Sequence, residues 1–126
     1  MAFFNRGSAW YDLQEYDKAI EDYDKAISLN PQYKDAFLNR GLVWHYKGDY
    51  NKAIIDYNKA LEIDDKYALA YSNRGLAWYD LKDDDKALLD YDKAILLRPD
   101  YKDAVLNRGL IFYYRGDYDK SIADYN

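Results

Sequence analysis

The tripeptide Asn-Arg-Gly occurs four times, and its glycines Gly7, Gly41, Gly75 and Gly109 each stand 34 residues from the next. A fixed period of this size marks an array of small supersecondary units, each burying its apolar face against its neighbours. No other feature restricts the fold as strongly, because whatever one unit forms, the others must form too.

Aligning the units on their glycines brings out a second pattern. Three residues after each glycine comes a large aromatic: Trp10, Trp44, Trp78 and Phe112. Further on stand a small residue (Ala19, Ala53, Ala87, Ser121), a tyrosine (Tyr23, Tyr57, Tyr91, Tyr125) and another small residue (Ala26, Ala60, Ala94). Steps of three and four place these residues on one face of a helix. Each unit therefore reads as two helices. The first (A) is expected near residues 2–13, 35–47, 69–81 and 103–115, the second (B) near 17–29, 50–63, 84–97 and 118–126. Gly48-Asp49 and Gly116-Asp117 supply a left-handed C-terminal cap and an N-cap between A and B. Units one and three carry Gln14-Glu15 and Lys82-Asp83 there, so their turns form with less help. Pro31 and Pro99 close two of the B helices, and Asp64-Asp65 stands at that point in unit two. Gly41 facing Ala53 would let A touch B, and Ala60 would let B meet the next A.

This order of small, aromatic and proline positions resembles the tetratricopeptide repeat over essentially the whole chain. Its departures are Asp84 where the other units have Tyr16, Tyr50 and Tyr118, Ser121 for Ala, and Asp65 for Pro. The resemblance implies an all-α, right-handed superhelical solenoid of antiparallel helix pairs, with A helices lining a concave groove. On this reading residues 1–126 are a single array of three full repeats and a truncated fourth: 1–33, 34–67, 68–101 and 102–126. Odd units also resemble odd units, as in Ala9-Trp10-Tyr11-Asp12-Leu13 and Ala77-Trp78-Tyr79-Asp80-Leu81. Duplication of a pair, or deliberate design, produces such a pattern.

Composition removes several function classes. With 23 acidic against 18 basic side chains the net charge is −5, which argues against a phosphate-binding surface. There is no cysteine and a single histidine, His45, so thiolate chemistry and a His-based relay or metal site are not expected. Ser8, Ser28, Ser72 and Ser121 find no histidine partner other than His45, and no glycine-rich phosphate loop is present. The acidic run Asp80-Leu81-Lys82-Asp83-Asp84-Asp85 lacks the glycine and distal glutamate of a calcium loop. No enzyme activity, metal or cofactor is expected. No apolar run reaches membrane-spanning length, and the N-terminus lacks signal-peptide order, which points to the cell interior.

What remains is a binding surface. Asn5, Asn39, Asn73 and Asn107 recur in register, flanked by Leu38, Leu42, Leu76, Leu106 and Leu110 and by Tyr11, Tyr46, Tyr79, Tyr113 and Tyr114. The resemblance places this stripe in the groove. In relatives such as the repeats of O-linked N-acetylglucosamine transferases, a ladder of groove asparagines holds a peptide backbone. An asparagine amide both donates and accepts, so a column of them can grip a backbone without reading its side chains. The peptide-binding set expected here is Asn5, Asn39, Asn73, Asn107, Leu38, Leu42, Leu76, Tyr79, Leu106, Leu110 and Tyr113. The competing reading is that each asparagine bonds within its own repeat.

The carboxylate clamp that other members use for acidic C-termini is not expected, because Phe4, Leu38, Ser72 and Leu106 occupy the clamp's lysine positions. Asp12, Asp35, Asp80 and Asp103 border the stripe and favour a neutral or basic segment. Arg6, Arg40, Arg74 and Arg108 recur together with Asp22, Asp56, Asp90 and Asp124, and are expected to pair across helices rather than to bind an acidic ligand. Two alternatives stand beside peptide binding. No polar capping helix follows the fourth unit, so Phe3 and Phe4 at one end and Ile122 and Tyr125 at the other could mediate homo-oligomerisation. The chain could also be the recruiting segment of a larger enzyme.

Overall fold

The computed structural model describes residues 1–125, apart from the side chains of Tyr118 and Tyr125. Among these residues there are eight α-helices and no strand. The chain divides into two compact units, Met1–Asp65 and Lys66–Asn126, each holding two helix pairs. The first contains α1 (Ala2–Asp12), α2 (Tyr16–Leu29), α3 (Lys34–Tyr46) and α4 (Tyr50–Ile63). The second contains α5 (Ala68–Asp80), α6 (Asp84–Leu97), α7 (Lys102–Tyr114) and α8 (Tyr118–Tyr125). Where both bounds are described, the helices start and stop within one residue of the positions that the repeat pattern sets out.

Within the first unit α1 packs on α2, α3 on α4 and α2 on α3, and α1 also touches α3. The second unit repeats this arrangement with α5 to α8. In each unit the two A helices adjoin while the two B helices do not, so the A helices form its inner face. That face carries the asparagine stripe.

The small residues allow close approach. Ala19, Ala53, Ala60, Ala87 and Ala94 are fully buried. Gly41 faces more than Ala53: a Cβ built there would lie 2.6 Å from Tyr57 Cε1 and 3.2 Å from the Ala53 carbonyl oxygen. The glycines thus make room for the ring of the B-helix tyrosine. Gly7 and Gly75 stand in the same relation to Tyr23 and Tyr91. Around these rings the cores assemble: Ala19, Tyr23 and Val43 with Phe4, Trp10 and Tyr11 in the first unit, and Ala87, Tyr91, Ala94 and Ile111 with Tyr71, Trp78 and Leu88 in the second. A lysine of each B helix covers the aromatic of its A helix. Lys18 lies 4.5 Å from the Trp10 ring centroid, Lys52 4.4 Å from Trp44, Lys86 4.5 Å from Trp78 and Lys120 5.5 Å from Phe112. The ammonium meets the negative ring face while the methylenes cover apolar surface.

The A-to-B turns show what the missing glycines cost. Gly48 and Gly116 adopt φ of 87° and 85°. Gln14 and Lys82 are held in the same left-handed region, at 61° and 68°. Their turns close as in the other units, with Gln14 N–H donating to Tyr11 O at 2.9 Å and Glu15 N–H to Trp10 O at 2.8 Å. A Cβ in this region is sterically disfavoured. Gln14→Gly and Lys82→Gly are each expected to raise stability by about 0.5–1 kcal/mol, net of the added freedom of the unfolded chain. Urea denaturation of the single variants measures this.

Candidate functional site: the inner face of the A helices

The arginine row is committed to structure. Arg6 donates through Nε and Nη2 to Asp22 at 2.7 and 2.8 Å, Arg40 to Asp56 at 2.9 and 2.7 Å, Arg74 to Asp90 at 2.7 and 2.7 Å, and Arg108 to Asp124 at 2.8 and 2.5 Å. Each is a two-pronged pair joining helix A to helix B of one repeat. Arg40 and Arg108 also reach back to the preceding repeat, donating through Nη1 to Asp24 at 2.8 Å and Asp92 at 2.9 Å. Asp22 is occupied by Arg6, so the preceding-repeat partner of Arg40 is Asp24.

Asp22 and Asp56 are equally shielded from solvent, at 2% and 3% exposure, but differ in their partners and surroundings. Asp22 pairs with an arginine that is largely in solvent, and the Arg6 fork holds its carboxyl below the usual range, against the effect of burial. At Asp56 burial is the larger effect and pushes the carboxyl up, against the pull of Arg40. The guanidinium of Arg40 is in turn held far above its ordinary value by Asp56 and then Asp24.

With the arginines accounted for, the asparagine stripe remains. Asn5 is exposed, while Asn39, Asn73 and Asn107 are half-buried. Asn39 lies against the Tyr23 hydroxyl, which also bonds Ser8 Oγ at 2.9 Å. Asn107 lies beside the Tyr91 hydroxyl without reaching hydrogen-bond geometry. Asn73 Nδ2 is buried and has no hydrogen-bond partner. Asn39 and Asn107 are therefore each set beside the buried tyrosine of the preceding repeat, not bonded within their own repeat.

The second unit gathers four residues of the expected set. Leu76, Tyr79, Asn107 and Leu110 surround a cavity of about 40 Å³, with Tyr91 as its fifth wall. Leu76 and Leu110 are partly open to solvent. The others are placed differently. Leu38 is only 2% exposed and offers no surface to a ligand, which corrects its inclusion: the helix-A position that is open at Leu106 is closed at Leu38. Leu42 is half-buried. Leu106 lines a separate cavity of about 730 Å³ with Pro99, Val105 and Ala123. Tyr113 is exposed, its ring 5.5 Å from that of Tyr114. In the first unit Tyr11 and Tyr46 meet with centroids 5.8 Å apart. Asp12, Asp35 and Asp103 are exposed and Asp80 half-buried. Tyr125, expected at the oligomerising end, has its side chain outside the described residues.

Among the described residues no group of His, Asp and Glu side chains is arranged to hold a metal ion. Among the described residues, no helix is long and apolar enough to cross a membrane.

Helix pairs repeated at this period, with small residues at the A–B contact and a polar and apolar stripe on the inner face, define a helical-repeat interaction scaffold. Family models described as "Tetratricopeptide repeat" match residues 1–33 with 68–101, and 85–126, and one described as "TPR repeat" matches 41–82. The chain belongs to the tetratricopeptide-repeat family. No match was found among curated proteins. Among solved structures, one titled "Crystal structure of MamA" is 24% identical with a TM-score of 0.90, over 97% of this chain and 71% of that one. The "First TPR of Spaghetti (RPAP3) bound to HSP90 peptide SRMEEVD" is 25% identical with a TM-score of 0.87, over 91% of each chain. The "Arabidopsis OM64 TPR domain" is 29% identical with a TM-score of 0.84, over 87% of this chain and 91% of that one.

Proposed function

We propose that the inner face binds an extended, neutral or basic segment of a partner protein. The observation that carries this reading is the cavity in which Leu76, Tyr79, Asn107 and Leu110 converge, since it joins the asparagine stripe to apolar surface at one place. An asparagine side chain has two polar ends. At Asn39 the neighbouring Tyr23 hydroxyl can orient the amide, and the remaining capacity is free for a peptide backbone. Leu42, Leu76, Leu106, Leu110, Tyr79 and Tyr113 supply apolar contact beside that row. Within each unit the row has a second asparagine, Asn5 in the first and Asn73 in the second.

Charge selects the segment. The HSP90 peptide named in the RPAP3 structure, SRMEEVD, ends in acidic residues. Here Phe4, Leu38, Ser72 and Leu106 offer no cation for such an end, and the four arginines are held by aspartates. Asp12, Asp35 and Asp103 repel acidic groups and attract basic ones.

Asn39→Ala with Asn73→Ala tests the reading. The double variant is expected to keep its helical content and to weaken every bound segment alike, each lost hydrogen bond being worth about 0.5–1.5 kcal/mol. Titration calorimetry with partners isolated from lysate measures it, and undiminished binding would sink the proposal.

Self-association is the second reading. The cavity of about 730 Å³ lined by Ile95, Pro99, Val105, Leu106 and Ala123 is an apolar-floored surface that a second copy could cover. Light scattering coupled to size exclusion is then expected to show a dimer at high protein concentration, and a monomer throughout refutes it.

A further inference from the structure

Tyr23, Tyr57 and Tyr91 occupy equivalent places on α2, α4 and α6, and all three are at most 1% exposed. Their hydroxyls are nevertheless served differently. Tyr23 Oη has Ser8 Oγ at 2.9 Å. At the register of Ser8, units two and three carry Leu42 and Leu76. A leucine cannot answer a phenol, and the hydroxyls of Tyr57 and Tyr91 are buried with no hydrogen-bond partner. Buried polar groups without a partner are rare, and each calls for an explanation.

At Tyr91 the surroundings supply one. Tyr91 is one of the residues lining the cavity of about 40 Å³, together with Leu76, Tyr79, Asn107 and Leu110. That space suits a single water or the tip of a small side chain. Its walls are mostly apolar, and two of the lining side chains carry polar groups: the Tyr91 hydroxyl, beside the cavity, and the Asn107 amide. Burial, followed by the charge of Asp80, pushes the hydroxyl well above the usual phenol range, so it remains a donor at any physiological pH. The same negative charge disfavours a carboxylate. An alkyl tip would leave both polar groups unanswered, and the amide of Asn or Gln is too bulky for the volume.

We propose that this cavity is a subsite for a serine or threonine side chain of the bound segment. Its hydroxyl accepts from Tyr91 Oη and exchanges a second hydrogen bond with the Asn107 side chain, while a threonine methyl packs on Leu76 and Leu110. The assignment rests on the peptide-binding reading above and adds a sequence preference to it.

Fluorescein-labelled decapeptides of Leu, Gln and Lys, with one position scanned through Gly, Ala, Ser, Thr, Val and Asp, test it by anisotropy. On the parent protein the Ser and Thr peptides are expected to bind about 3- to 10-fold tighter than Ala or Val, the range for one net hydrogen bond. Tyr91→Phe is expected to abolish this preference. Leu76→Ser, which gives Tyr91 the partner that Ser8 gives Tyr23, is expected to abolish it as well. Equal binding of Ser and Ala peptides would assign the cavity to a resident water and overturn the subsite while leaving peptide binding intact. A preference that survives in Tyr91→Phe also overturns it. If no peptide binds, both readings fall. Thermal unfolding gives an independent check. Tyr91→Phe is expected to leave Tm unchanged or raised, whereas Tyr23→Phe, which strands Ser8, lowers it. A drop in Tm for Tyr91→Phe equal to that for Tyr23→Phe would mean that the hydroxyl is already satisfied in the free protein, and would refute the proposal.

Discussion

Arg40→Met is expected to destabilise the protein by about 3–5 kcal/mol, the range for removing one partner of a buried ion pair. The methionine fills much of the space of the arginine stem, so the loss is mainly electrostatic. It strands Asp56, whose side chain is only 4% exposed and accepts two hydrogen bonds from Arg40. The pH dependence gives a sharper signature than the magnitude. Burial already pushes the Asp56 carboxyl up, and Arg40 is the group that holds it down. Without Arg40 its folded pKa rises further above the unfolded value. A group whose folded pKa is raised contributes stability that is present below the unfolded pKa and lost as pH rises through the folded one. The deficit of Arg40→Met relative to the parent should therefore be small near pH 4 and grow toward pH 7. Urea denaturation at a series of pH values measures this. A deficit independent of pH would show that Asp56 finds solvent or another cation in the variant. Arg6→Met is the control. Arg6 is more exposed and Asp22 is already held below the usual range, so a smaller loss is expected there.

Gly41→Ala is expected to cost about 2 kcal/mol despite favouring helix formation locally. Alanine gains roughly 1 kcal/mol over glycine inside a helix. The new methyl, however, would stand 2.6 Å from Tyr57 Cε1 and 3.2 Å from the Ala53 carbonyl. Tyr57 is fully buried, so its ring has no free space to turn into, and the backbone oxygen moves only if α4 moves. Overpacking of this kind costs about 1–3 kcal/mol and occasionally more. Pairing Gly41→Ala with Tyr57→Leu should return part of the loss, because the shorter side chain vacates the contact. A double-mutant cycle by thermal unfolding reads the coupling. Additive effects would mean that α4 shifts away from α3 and that the tyrosine does not define the contact.

The proposed function and the stability of the scaffold meet at the helix-B tyrosines. Their rings are what Gly7, Gly41 and Gly75 make room for, and the hydroxyls of Tyr23 and Tyr91 lie beside Asn39 and Asn107. The residue that closes the A–B contact thus also stands next to the proposed recognition row. Substitutions at this point affect packing and recognition together, which is why the hydroxyl-only change Tyr91→Phe is the informative one.

The sequence by itself determined the elements and their local chemistry. The period of 34, the spacing of small and aromatic residues and the turn signals are short-range features, and helix boundaries, left-handed turn positions and the Arg–Asp pairs within a repeat follow from them. Each of those depends on residues whose relative placement is set by helix geometry and one tight turn. Tertiary structure alone decided the rest. That Arg40 and Arg108 reach Asp24 and Asp92 depends on how one helix pair stacks on the next. That Leu38 is buried while Leu106 is open depends on what covers each surface. The unpartnered hydroxyl of Tyr91 has a sequence correlate, leucine at the register of Ser8, but it becomes legible only once Ser8 Oγ is seen 2.9 Å from Tyr23 Oη. Periodicity gives the face of a helix on which a side chain sits. Which atom it meets there is set by the rotation and separation of the packed helices, to within a few tenths of an ångström, and by close packing against residues distant in the chain.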